Sequence, residues 1–145
     1  MGIVTELAQE FNIKVIRLPY EELSFTLKLD KSDLVTNLLW SFVFIGLRRY
    51  GEGLLKFQGI YFCDRVYGLL QSGRMNEDYL QGLVPQIQDN IIEIYSHPAV
   101  TFPDEPLNGL PGAGKVELAA WLSDSARELI AKNDFKLTKY NNYFS

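Results

Sequence analysis

Cysteine and histidine each occur once in the 145 residues, as Cys63 and His97. One cysteine excludes an internal disulfide framework, and one Cys with one His cannot close a Cys/His zinc site within the chain. An unpaired thiol fits a reducing setting, so a cytoplasmic location is expected. Positive charge is also in short supply: 14 Lys and Arg stand against 18 Asp and Glu, for a net charge of −4. With no general basic surface for a phosphate backbone, no nucleic-acid partner is expected. The most apolar stretch, Leu34 to Leu47, is broken by Thr36, Asn37 and Ser41. It falls short of the ~18–20 apolar residues that span a bilayer, so it reads as a buried or interfacial helix and no transmembrane segment is predicted. Met1 to Phe11 carries Glu6 and Glu10 and lacks a basic start, unlike a signal peptide.

What the chain does have is core-forming material, with 47% hydrophobic residues, enough to exclude compositional disorder. Its length suits one domain and is too short for a complete α/β barrel of about 250 residues. Ile3, Leu7 and Phe11 recur at helical spacing and predict a helix over 3–11. Ile13 to Leu18 reads as a strand stopped by Pro19, and 19–31 as loop. A helix is expected from Ser32 to about Tyr50, ended by Gly51 and Gly53. Phe57 to Phe62 predicts a strand, followed by a turn at Cys63-Asp64-Arg65 and an amphipathic run to Leu70. Asn76 caps a helix to about Val84, and Ile91 to Ser96 is the clearest strand. A proline- and glycine-rich loop over 99–114 precedes an amphipathic helix from Lys115 to Ala131, and Phe135 to Tyr140 alternates as a last strand. The aromatic residues Trp40, Phe42, Phe44 and Trp121 read as core.

Strands alternating with helices predict α/β architecture with a mostly parallel sheet, and four such strands make half of a barrel. Chemistry in such folds gathers at the carboxyl ends of the strands. Those ends offer Arg17, Cys63-Asp64-Arg65, Ser96-His97 and Tyr140-Asn141. His97 is either a loop histidine tied to backbone or a proton donor held at a pocket mouth by Pro98. Arg17, Asp64 and Arg65 are either ordinary ion-pair partners or groups that orient a hydroxylated substrate. Cys63 reads as a buried thiol because no base is at hand to activate it. Gly109 to Val116 matches a phosphate-binding P-loop except at its last position, where Val116 replaces the Ser or Thr that would hold Mg²⁺. No buried strand leads directly into it, so a glycine-rich entry to a helix is the better reading.

Ile16-Arg17-Leu18-Pro19, Asp64-Arg65-Val66-Tyr67-Gly68-Leu69-Leu70-Gln71-Ser72-Gly73-Arg74-Met75 and Glu93-Ile94-Tyr95-Ser96-His97-Pro98-Ala99, in that order, resemble the carboxyl-terminal half of the YdjC-like carbohydrate deacetylases. The branch they are most similar to is the hopanoid biosynthesis-associated HpnK branch. The similarity runs from about residue 3 through Tyr140. The resemblance implies a partial (β/α) barrel-like fold, with residues 1–145 forming a single partial domain. It also implies hydrolysis of an acetamide on a sugar or glycolipid, with a divalent metal such as Mg or Zn in the complete family member. The family's metal-binding Asp and His residues belong to its amino-terminal half, which implies no metal site and no cofactor in this chain alone. Carried over by position, His97 would be catalytic, and Arg17, Asp64 and Arg65 would bind substrate. A separately encoded amino-terminal half, or self-association, is then the expected partner. Two other functions stay open: a non-catalytic binding or scaffold remnant pairing through an exposed sheet edge, and a phosphate binder at Gly109 to Lys115.

Overall fold

The computed structural model describes residues 2–21, 23–100 and 112–143. Helix α1, Gly2–Glu10, ends where Asn12 takes a left-handed conformation (φ 54°) and the Ile13 N–H reaches back to the Ala8 carbonyl at 2.7 Å. That is the Schellman closure that a left-handed Asn permits. The following apolar run is extended, and it meets the chain again through one parallel bridge, Val15 with Tyr61. Helix α2, Leu23–Leu29, replaces the expected loop over 19–31. Its Thr26 is fully buried and donates to the Glu21 carboxylate at 3.3 Å.

Helix α3, Leu34–Phe57, passes through both glycines expected to end it. An internal Gly costs about 1 kcal/mol relative to Ala. Leu55, fully buried against Ala8, Leu18 and Ile60, offsets this by an amount typical of a buried Leu, about 1.5–3 kcal/mol. The stop comes instead at Gly59 (φ 68°), with the Ile60 N–H bonded to the Leu55 carbonyl at 2.9 Å. Phe57 therefore closes a helix rather than opening a strand. The aromatic stretch is also corrected: Phe42 is 65% and Trp40 52% exposed, whereas Phe44 and Trp121 are half-buried.

Strand β1, Arg65–Tyr67, occupies part of the expected amphipathic helix. It pairs in parallel with β2, Ile92–Ile94, in the register Arg65 to Ile92, Val66 to Glu93 and Tyr67 to Ile94. Residues 60–67 thus run between two neighbours: Lys14 and Ile16 bond to Tyr61 and Tyr20 to Val66, while Ile91 bonds to Asp64 and Tyr95 to Tyr67. The architecture is mixed helix and sheet with parallel pairing, as expected of an α/β chain.

Asn76 caps α4, Glu77–Leu83, by accepting the Tyr79 N–H at 2.9 Å, and Pro85 sits in a 3-10 turn over Val84–Gln86. The single helix expected over 115–131 is two, α5 (Ala113–Leu122) and α6 (Asp124–Lys132). Ser123 between them is extended (ψ 146°) and its hydroxyl accepts the Ala126 N–H at 3.1 Å, an N-cap inside an apolar period. No strand forms over 135–140 among the described residues; a short helix α7, Tyr140–Tyr143, follows instead. The main core gathers Tyr67, Met75, Leu80, Leu83, Ala120 and Ala126, with Ile92 and Ile94 packed against it.

The turn after β1 depends on a carboxylate and a glycine. Glu21, fully buried, accepts the Gly68 N–H at 3.1 Å and the Leu70 N–H at 2.8 Å. Burial pushes its carboxyl above the ordinary 4.5, although the backbone donors at Leu70 and Gly68 pull the other way. A proton on Glu21 is therefore held more tightly when the chain is folded. Its stabilising contribution is complete below about pH 4.5 and is lost as pH rises through the raised folded value. We expect the stability gap between the native chain and Glu21→Gln to narrow as pH rises above 4.5, read from denaturant melts across that range.

Gly68 has φ 90°, and a Cβ there would overlap the Tyr95 carbonyl oxygen and the Met75 side chain, whereas a Cβ at Gly53 would meet nothing. Gly68→Ala should destabilise by roughly 2–4 kcal/mol, from strain and overpacking. Gly53→Ala, inside α3, should stabilise by about 0.5–1 kcal/mol. Thermal melts of the two variants check both signs.

Candidate active site

Side chains alternate across a strand, so Glu93, Tyr95 and His97 share one side of β2 and its continuation, while Ile92 and Ile94 take the other. The apolar pair packs on the helical core. The polar trio faces away from it and collects partners from three other parts of the chain. Arg17, beyond the Val15 bridge, forms an ion pair with the Glu93 carboxylate. Its guanidinium also lies over the Tyr95 ring, 5.0 Å from the centroid. The Tyr140 hydroxyl, from α7, donates to the other Glu93 oxygen and accepts from the Cys63 thiol at 3.6 Å. The His97 ring meets Tyr95 edge-on at 4.7 Å between centroids.

These contacts set the local electrostatics. The hydrogen bond to Glu93 holds Arg17 above its ordinary pKa despite some loss of solvation. Burial, followed by the bond to Glu93, pushes the Tyr140 phenol up, so it remains a donor at neutral pH. Cys63 is buried, and desolvation raises its thiol as well. A neutral thiol is a poor nucleophile, in keeping with the buried-thiol reading.

His97 itself is held from behind. Its backbone N–H donates to Glu117, a fully buried carboxylate on α5 whose second oxygen accepts the Met75 N–H at 3.3 Å. The Trp121 indole N–H donates to Ser96 at 2.9 Å, and the Ala99 N–H to the Gly114 carbonyl at 3.0 Å. The backbone on both sides of His97 is fixed, and its imidazole is exposed. That arrangement can present a proton or a hydrogen bond to a ligand without moving the chain.

Arg17 and His97 are thus brought together around Tyr95. Asp64 and Arg65 have other partners, at the start of β1 and β2. The Asp64 carboxylate accepts the Ile91 N–H at 3.0 Å, and Arg65 pairs with Asp89 at 3.0 Å. Burial raises the Asp89 carboxyl, but bonds from Tyr67 (2.7 Å) and Arg65 outweigh it and leave the group below its ordinary value. Glu93, Tyr95 and Glu117 were not singled out in the sequence, although the two-residue spacing of Glu93, Tyr95 and His97 is a signal for the first two. A cavity of about 690 Å³ near the amino end of β2, lined by Asp89, Ile92, Trp121 and Phe135, contains none of this cluster. Gly109 to Pro111 of the P-loop-like run lie outside the described residues. Gly112, in a left-handed conformation, precedes α5.

A divalent ion needs a convergent set of donors, and among the described residues no three His, Cys, Asp or Glu side chains are grouped to hold one. Within the cluster, Glu93 is already satisfied by Arg17 and Tyr140, and the Cys63 thiol is protonated. The donor set described here does not fit the metal that the family resemblance implies.

Because Tyr140 lies on Cys63, we expect Cys63 to resist alkylation in the folded chain. Tyr140→Ala should speed that reaction by about tenfold or more through local opening. Timed iodoacetamide labelling followed by mass spectrometry of the intact chain measures the difference.

Among known families, the model describing YdjC-like proteins matches residues 1–132, a span that takes in every element from α1 to α6. Neither a curated protein nor a solved structure matches the chain. Arg17, Glu93, Tyr95, His97 and Glu117 all fall inside the matched span. The chain therefore belongs to the YdjC-like protein family.

Proposed function

We propose that this chain forms the substrate-facing wall of a YdjC-like carbohydrate deacetylase, of the hopanoid-associated HpnK branch. The substrate class is an N-acetylated sugar or glycolipid, met in the cytoplasm. The observation that carries this function is the joining of Arg17, Glu93, Tyr95 and His97 on the polar side of β2, within the span matched by the family. The parallel strands form part of a (β/α) barrel, and residues 1–145 supply its second half. The donors for a divalent ion come from an amino-terminal half, on the same or a separate polypeptide.

In this function His97 is the general acid. After water has added to the acetamide carbonyl carbon, the C–N bond breaks, His97 gives a proton to the departing amine and the acyl group leaves as acetate. Arg17, anchored by Glu93, orients a hydroxyl or carbonyl oxygen of the substrate. Asp64 and Arg65 act one step back, holding the edge of β2 through Ile91 and Asp89. A second reading is a non-catalytic binding or scaffold module that pairs through an exposed sheet edge.

The test supplies the chain with an amino-terminal half of a YdjC-like deacetylase bearing the metal ligands and follows acetate release from N-acetylated sugars. Activity is expected in the combination and not in the isolated chain. His97→Ala should lower it by about 10²–10⁴-fold, the range for loss of a general acid, with an unchanged melting temperature. Asp64→Asn should lower the melting temperature and leave turnover within a few-fold. Near-normal turnover by His97→Ala would overturn the assignment, and an inactive combination would favour the binding module.

A further inference from the structure

The cavity of about 690 Å³ near the amino end of β2 shares no residue with the polar cluster. Its volume falls within the roughly 300–1,000 Å³ of small-molecule sites. The walls come from β2, the 3-10 turn before it, α5, α6 and the segment 133–138. Ile92, Ile94, Trp121, Ile130 and Phe135 are half-buried on these walls, so apolar surface is left over to line the space. The Trp121 indole N–H is already bonded to Ser96 at 2.9 Å, which leaves its ring to act as an apolar wall.

Polar lining residues lie nearer the solvent: Gln88, Asn90, Thr138 and Asn142 are exposed. The Asn133 side-chain N–H bonds to the Leu129 carbonyl at 2.8 Å, leaving its amide oxygen to accept from a ligand. Charge on the lining is nearly balanced. Lys136 stands against Asp89 and Asp134, and Asp89 is already paired with Arg65. We propose that this cavity binds an uncharged amphiphile, with its apolar body against Ile92, Trp121 and Phe135 and its hydroxyl- or amide-bearing end among the asparagines. The inference does not rest on the deacetylase function. Seating an apolar body against these walls releases water from both surfaces. An anionic head would add a further negative charge beside the two aspartates, with one lysine to offset it. A protein partner covers a broad face of about 800 Å² in a standard interface, whereas a concave space walled by several elements suits a small molecule.

The probe is n-octyl β-D-glucoside below its micellar concentration. Trp121 reports binding in a Trp40→Phe background, which removes the other of the two tryptophans. Its emission should shift to the blue and saturate at one molecule per chain. Methyl β-D-glucoside, which lacks the apolar body, should cause no shift, and octanoate should bind about tenfold or more weakly than the glucoside. Phe135→Ala and Leu137→Asp should each raise the dissociation constant by about tenfold or more. Leu137 lines the cavity and is 79% exposed, so its replacement tests the site without disturbing the core. Leu39→Glu, at an exposed position of α3, should leave binding unchanged, which separates the cavity from adsorption on that helix. Absence of saturable binding would overturn the proposal. So would binding that is indifferent to Phe135→Ala and Leu137→Asp, or abolished by Leu39→Glu. Tighter binding of octanoate would overturn the uncharged class. Loss of binding on adding an amino-terminal half of a YdjC-like deacetylase would overturn the proposal in favour of that half as the occupant.

Discussion

Two buried carboxylates hold the loops around the site. Glu21 grips the Gly68 and Leu70 N–H groups from one side, and Glu117 grips Met75 and His97 from the other. Placing a carboxylate out of water costs several kcal/mol unless its oxygens are satisfied. Here the donors are backbone groups that have no strand or helix to bond to. The turn after β1 and the exit from β2 are thereby joined through α5 and the segment before α2. Between them the Tyr95 N–H meets the Tyr67 carbonyl at 2.7 Å. Short strands of three residues each would fray without such clamps, and the polar cluster would lose its fixed geometry.

The cluster itself is organised by Glu93 rather than by the histidine. One carboxylate receives an arginine from the first extended segment and a tyrosine from the last helix, so distant parts of the chain converge on a single residue of β2. Arg17 keeps a defined direction while part of its side chain stays exposed, and Tyr95 serves both Arg17 and His97 as an apolar surface. Charge is thus concentrated on the side of the sheet opposite the helical core.

Much of this was legible in the sequence where one local force dominates. The α1 period, the Asn76 cap and the strand before His97 each rest on a few neighbouring residues, whereas the β-rich run expected as a strand over Ile13 to Leu18 is extended with a single bridge at Val15. The misreadings have other causes. Gly51 and Gly53 look like stops but sit in a helix held by the distant burial of Leu55. Thr26 looks like loop but is drawn into α2 beside Glu21. Ser123 breaks a helix whose apolar period runs through it unbroken. Phe57 to Phe62 reads as a strand from its aromatic and β-branched residues, but the regular strand begins only at Arg65. For Leu55 a contact with the distant Ala8 and Leu18 outweighs a local preference, whereas at Thr26 and Ser123 one side-chain hydrogen bond, to Glu21 and from the Ala126 N–H, overrides the periodic pattern.

The alternation along β2 makes core and chemistry inseparable. Ile92 and Ile94 anchor the helices while Glu93, between them, anchors Arg17 and Tyr140. A single residue gained or lost just ahead of Glu93 would turn the carboxylate inward and an isoleucine outward, inverting both layers at once. Length changes in this strand are therefore tolerable only in pairs, and the nearest place to absorb one is the irregular stretch before Ile91. Sequence drift here is steered by the parity of a three-residue strand.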